Sequence, residues 1–160
     1  MRLIISAIGR LKDGGERELY DRYASRLDQT GRGVALGPLT LNEFAESKLA
    51  SAELRKSDEA ARLLKTTAEA QVIIALDESG RQYSSATFAA LLGKHRDSGA
   101  KAVAFLIGGA DGHGDAALSA AHFKLSLGAM TLPHGLARVV LAEQLYRSAT
   151  ILAGHPYHRA

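Results

Sequence analysis

Apolar residues follow two rhythms along this chain. Short unbroken runs, RLIISAI at 2–8, QVIIAL at 71–76 and KAVAFLI at 101–107, each stop at a glycine or an aspartate. Runs of that length without alternation are the pattern of strands buried on both faces. A shorter run at Phe123–Leu127 predicts a further strand, leading into Gly128, Ala129, Met130 and Thr131. Between the runs, apolar positions recur at helical spacing. Leu19, Tyr23 and Leu27 make one face of a helix that Gly31 and Gly33 end. Val34–Leu39 predicts a short strand, with Pro38 placing its end at a sheet edge. Thr40 and Glu43 read as a capping box that opens a helical stretch to about Ala70, interrupted near Ser51 or Ser57. Ser84 or Ser85 caps a helix reaching about Arg96, which Ser98-Gly99 stops. Asp115–Ala121 predicts a short helix, and Gly135 to about Leu152 the strongest one. Strands alternating with helices predict an α/β fold: a mostly parallel sheet flanked by helices, with 1–160 as a single domain.

Composition narrows the chemistry. The 160 residues contain no cysteine, which excludes a disulfide framework, a thiolate nucleophile and a cysteine-ligated zinc. The apolar runs are far shorter than the ~20 residues of a membrane helix. Met1 and Arg2 lead directly into the first strand, so no cleavable leader and a cytoplasmic location are expected. The net charge of +3 is unevenly placed. Residues 122–160 hold Lys124, Arg138, Arg147 and Arg159 against Glu143 alone, which accounts for the whole excess, and also His122, His134, His155 and His158. That end is either a basic helix and tail or the face for an anionic partner, phosphate or nucleic acid. No zinc-finger spacing or helix-turn-helix pattern accompanies it.

Three segments after strands are unusual. They are Leu76-Asp77 through Gly80, the run Ile107 to Gly114 with its glycines at 108, 109, 112 and 114, and Leu127 to Thr131. Ligands of open α/β sheets bind beyond the carboxyl ends of strands, and glycines let backbone approach a ligand closely. A mobile surface loop is the other reading. Neither a Walker sequence nor a dinucleotide fingerprint is present. Asp77 suits a ribose hydroxyl or the cap of the next turn. Asp111 and His113 lack a third dedicated ligand, so no metal site is expected. Glu143 and Arg147 stand at i,i+4, where a surface salt bridge suffices. The apolar positions from Leu136 to Leu152 cover more than one stripe, which predicts burial against a second surface, another copy of the chain.

The combination of LIGG (106–109), MTLPH (130–134), RVVLAEQLYRS (138–148) and HPYHR (155–159) resembles the RlmH family of SPOUT methyltransferases. The resemblance runs from the first strand to the tail. It implies a deep trefoil knot in the C-terminal half, a homodimer, and S-adenosylmethionine as methyl donor. The implied acceptor is N3 of a pseudouridine in the helix 69 loop of 23S ribosomal RNA, on the assembled ribosome. Carried over, the cofactor contacts fall on Leu76, Gly108, Leu127, Gly128, Ala129, Met130, Thr131 and Leu132, within the three segments already singled out. This chain departs from the family pattern at Glu78-Ser79-Gly80 and at Ala110-Asp111-Gly112, where a proline is lost from each loop.

Methyl transfer from a sulfonium needs position and a dry pocket, and no metal. Within that implied chemistry His158 is the candidate proton acceptor, since histidine titrates near neutrality. Arg147 and Arg159 are candidates to hold a phosphate or a base oxygen, with Arg138 as a further substrate contact. Tyr157 is a candidate to stack on a base. His134 fits a core role as well as a catalytic one. The alternatives are a non-enzymatic ribosome- or RNA-binding factor and a knotted methyltransferase acting on transfer RNA.

Overall fold

A computed structural model describes residues 1–158, so Arg159 and its expected substrate contact lie outside the described residues. Five strands form one all-parallel sheet. They are β1 (Arg2–Ile8), β2 (Leu39–Phe44), β3 (Val72–Arg81), β4 (Ala102–Ile107) and β5 (Phe123–Leu125), in the order β2-β1-β4-β3-β5. The helices are α1 (Gly15–Gly31), α2 (Ala52–Lys65), α3 (Ser85–Asp97), α4 (Asp115–Ala120) and α5 (His134–Leu152).

Side-chain alternation along the central strands gives each sheet face its own cover. Leu3, Ile5, Val103 and Phe105 join Leu27 of α1, Leu92 of α3, and Leu141 and Leu145 of α5 in the larger core. Ile8 and Leu106 pack with Ala60 and Leu63 of α2 and Ala117 of α4 in the smaller one. Burial on both sides is why β1 and β4 carry unbroken apolar runs.

The Thr40–Glu43 capping-box reading is corrected. Thr40 and Glu43 lie in edge strand β2, paired with Ile4 and Ala7 of β1. The helix starts only at Ala52, where Ser51 accepts a hydrogen bond from the Leu54 N–H at 3.3 Å. The strand expected at Val34–Leu39 is instead a 3₁₀ turn at Arg32–Val34 followed by a loop, and pairing begins at Leu39. The local pattern misleads here because tertiary pairing with β1 outweighs a local cap. In β3 both readings hold in part. The strand extends to Arg81, but its register jumps from Leu76 to Arg81, both opposite Leu125, so residues 77–80 bulge out of the sheet. Gly80 closes that bulge: a Cβ there would lie 2.7 Å from backbone atoms of both Lys124 and Leu125.

Candidate active site

The carboxyl ends of β3, β4 and β5 open into one cleft of about 460 Å³, within the usual range for small-molecule sites. Of the eight residues singled out as cofactor contacts, Leu76, Gly108, Leu127, Gly128, Met130, Thr131 and Leu132 line it, and Ala129 does not. Segments spread over more than fifty residues of chain thus converge because β3 lies between β4 and β5 in the sheet. Gly128 takes φ +139°, a conformation that L side chains rarely adopt. Gly108 packs against the backbone of its own loop, where a Cβ would come within 3.0 Å of the Gly112 carbonyl carbon.

The polar lining has one sign. Asp77, Glu78 and Asp111 face the cleft, and among the described residues no lysine or arginine lines it. Asp77 accepts hydrogen bonds from the Ser79 hydroxyl and the Ser79 N–H, which hold its carboxyl below the ordinary value. It therefore caps the bulge, one of the two roles its position allowed. Asp111 takes a forked pair from Arg55 of α2, at 2.6 and 3.2 Å. His113 sets its Nε2 3.0 Å from the Leu76 carbonyl. The sequence pattern gave these ties no weight, because Arg55 lies in a different element and His113 stands among glycines.

Arg138 needs correction as a substrate contact. Its side chain is wholly buried, paired with Glu43 of β2 and donating to the Gly9 carbonyl at 3.1 Å. Glu43 also accepts from Arg17 of α1 at 2.7 Å and from the Leu11 N–H at 2.8 Å. A cation committed in this way holds α5 to β1, β2 and α1 and presents nothing to an RNA. His134, at the first turn of α5, lines the cleft directly.

The remaining candidates form a separate cluster. Arg147 pairs with Glu143, stacks on the Tyr157 ring at 4.8 Å, and brings Nη1 to 3.4 Å from His158 Nδ1. Tyr157 donates to Glu143 at 3.0 Å and packs against Tyr146, with ring centroids 4.7 Å apart. Burial first, and then Glu143, push its phenol up to about 12. None of Arg147, Tyr157 and His158 lines the cleft. Arg147 stands ten residues along α5 from the cleft residue Ala137, roughly 15 Å at the helical rise.

Over residues 1–158 the sequence matches the family model described as "Predicted SPOUT methyltransferase". The chain belongs to the SPOUT methyltransferase family. Among relatives of this SPOUT protein, "Ribosomal RNA large subunit methyltransferase H" of Xanthobacter autotrophicus is 49% identical over 160 residues, covering all of both chains. The protein of the same name from Rhizobium etli is 50% identical over 159 residues, with 99% of each covered. A crystal structure of a probable methyltransferase from Bordetella pertussis shares the fold. Its TM-score is 0.54 at 14% identity, over 92% of this chain and 96% of that one. A probable methylase family protein from Haemophilus influenzae gives 0.53 at 12% identity, over 99% and 70%. The SPOUT fold of the chain is thus shared by proteins of very different sequence.

Proposed function

We propose that this chain transfers a methyl group from S-adenosylmethionine to ribosomal RNA of the large subunit, at N3 of a pseudouridine in the helix 69 loop of the assembled particle. The observation that carries the reading is the convergence of seven of the eight expected contact residues in one cleft beyond β3, β4 and β5. The donor set suits the cofactor. Apolar Leu76, Leu127 and Leu132 suit an adenine face, and the carboxylates of Asp77, Glu78 and Asp111 suit ribose hydroxyls and a sulfonium cation. Bound there, S-adenosylmethionine supplies an activated methyl carbon. The resemblance adds a deep trefoil knot in the C-terminal half.

The chain's own residues divide between holding and proton transfer. Leu76, Gly108 and the 127–132 segment fix position, the largest lever on a displacement reaction. His158 takes the N3 proton of the acceptor base, directly or through water, while Arg147 and Arg159 hold a phosphate or base oxygen. Tyr157 is the anchor of the tail, since Tyr146, Arg147 and Glu143 already engage it.

A homodimer resolves the distance between cluster and cleft. Leu136 and Val140 leave an exposed i,i+4 apolar stripe on α5. If two copies pair α5 antiparallel about the level of Ala142, Ala137 of one lies opposite Arg147 of the other, so each tail reaches the neighbouring cleft. The substrate then meets a composite site.

The test is incubation with S-adenosylmethionine and ribosomes from a strain lacking the modification, followed by mass mapping of the product base. A single added methyl on the helix 69 pseudouridine is the expected result. Methylation elsewhere, transfer RNA included, overturns the assignment of substrate. Ribosome binding with no calorimetric response to S-adenosylmethionine favours a non-enzymatic RNA-binding factor.

A further inference from the structure

We propose that His113 is a positioning residue for the methyl-donor cleft: its imidazole ties the 108–114 loop to the end of β3 and sets the Leu76 carbonyl facing the ligand. The inference rests on the cofactor reading above. A carbonyl only accepts, so Nε2, 3.0 Å from the Leu76 oxygen, carries the ring proton. Nδ1 is closed off from solvent and has no partner among the described residues. Strand pairing between β3 and β4 ends at Leu76 and Ile107, so beyond it the imidazole takes over the tie. The loop is otherwise fixed on its outer side, by Arg55 on Asp111 and by Gly114 against the Lys56 backbone, where a Cβ would lie 2.6 Å from the carbonyl oxygen.

The Nε2–H donates to the Leu76 carbonyl whether or not Nδ1 carries a proton, so acid leaves the tie in place and changes only the charge beside the cleft. Burial pulls the imidazole below its ordinary value, against the opposing Leu76 carbonyl and the charge of Asp77. Asp77 on β3 is the charged group acting on it, in turn facing Lys124 of β5, while Asp111 on the same loop is engaged by Arg55 and Lys56 of α2. His134 of α5 is the other histidine lining the cleft. A second proton on His113 adds positive charge to a wall otherwise lined by carboxylates. That charge opposes a sulfonium and leaves a neutral thioether almost unaffected. His113 therefore holds the loop and, when doubly protonated, also disfavours the methyl donor relative to the spent product.

The experiment is calorimetric titration with S-adenosylmethionine and with S-adenosylhomocysteine at pH 7.0 and 5.0, folding being followed by circular dichroism. Wild type loses affinity for the sulfonium on acidification, and clearly less for the thioether. His113→Gln places an N–H where Nε2 stood and does not titrate, so it keeps neutral-pH affinity and loses the acid effect. His113→Leu removes the donor and weakens donor binding about fivefold at pH 7.0. His134→Gln retains the wild-type acid effect. An unchanged acid effect in His113→Gln, its disappearance in His134→Gln, or full affinity in His113→Leu overturns the inference and leaves the cofactor reading intact. Absence of any heat with wild type overturns the cofactor reading and the inference with it. Long-range proton–nitrogen correlation on the ligand-free wild type adds an independent reading: an Nε2–H tautomer is expected, and an Nδ1–H tautomer contradicts the tie.

Discussion

At the residue scale, the most consequential side chain is one that touches no substrate. Arg138 is fully buried against Glu43, so losing it leaves a carboxylate partly stranded with only Arg17 and the Leu11 N–H. Arg138→Met is expected to destabilise the fold by about 3 kcal/mol, near the low end for breaking a buried pair because those partners remain. Urea denaturation measures this, and Glu43→Gln in the same background recovers part of the loss. Acid acts on the same residues with a definite sign. Burial pulls His113 and His95 below the ordinary histidine value of 6.5, so the unfolded chain takes protons that the folded one resists. Their contribution is whole above about pH 6.5 and drains away as pH falls below it. Burial pushes Glu43 up, but the Leu11 N–H, Arg17 and Arg138 outweigh it and hold the carboxyl below 4.5. Its contribution is present above that value and is lost as pH drops through the folded-state one. Thermal melts should decline from about pH 6.5 and steepen below about 4.5, with a gentler first phase in His113→Gln. A melting temperature flat between pH 6.5 and 5 contradicts the histidine assignment.

At the element scale, local chemistry and tertiary pairing compete. Ser51 and Ser84 are true caps, each accepting a backbone N–H three residues on, and α3 begins where its serines predict. Ser51→Ala should cost about 1 kcal/mol in chemical denaturation. The TLNE segment has equally good capping residues, yet it forms β2, because Leu39 and Leu41 pack on the core beside β1. Nothing local distinguishes the two cases. The bulge of β3 is also tertiary. Its loop character was legible in Asp77-Glu78-Ser79-Gly80, but the return of the chain to pair at Arg81 depends on β5. Gly80→Ala brings a Cβ into the Lys124 and Leu125 backbone, which cannot move as a side chain tip can. The expected outcome is a loss of about 1–3 kcal/mol and weaker methyl-donor binding, read by melting and calorimetry.

At the scale of the whole molecule, the proposed homodimer, in which the tail of one copy serves the cleft of the other, carries a quantitative signature. Arg147→Ala disables the tail, and Gly128→Val, forcing a branched side chain into φ +139°, disables the cleft. Each variant alone should be inactive. Mixed one to one and allowed to exchange subunits, half of the dimers combine the two, and one of their two sites is intact. About one quarter of wild-type activity should return. No recovery after verified exchange means that each tail serves its own cleft.

Sequence by itself determined the buried strands, the alternation with helices, the capped helix α3 and the three strand-end segments that line the cleft. These rest on local signals: side-chain periodicity, glycine and serine chemistry, and the motifs near the C-terminus. Tertiary structure alone decided that Arg138 is an internal strut, that His113 reaches the Leu76 carbonyl, and that Arg147, Tyr157 and His158 gather away from the cleft. The reason is physical. Periodicity records which face of an element is dry, whereas the partner of a buried charge or a lone imidazole depends on strand order and helix crossing, which join residues far apart in the chain.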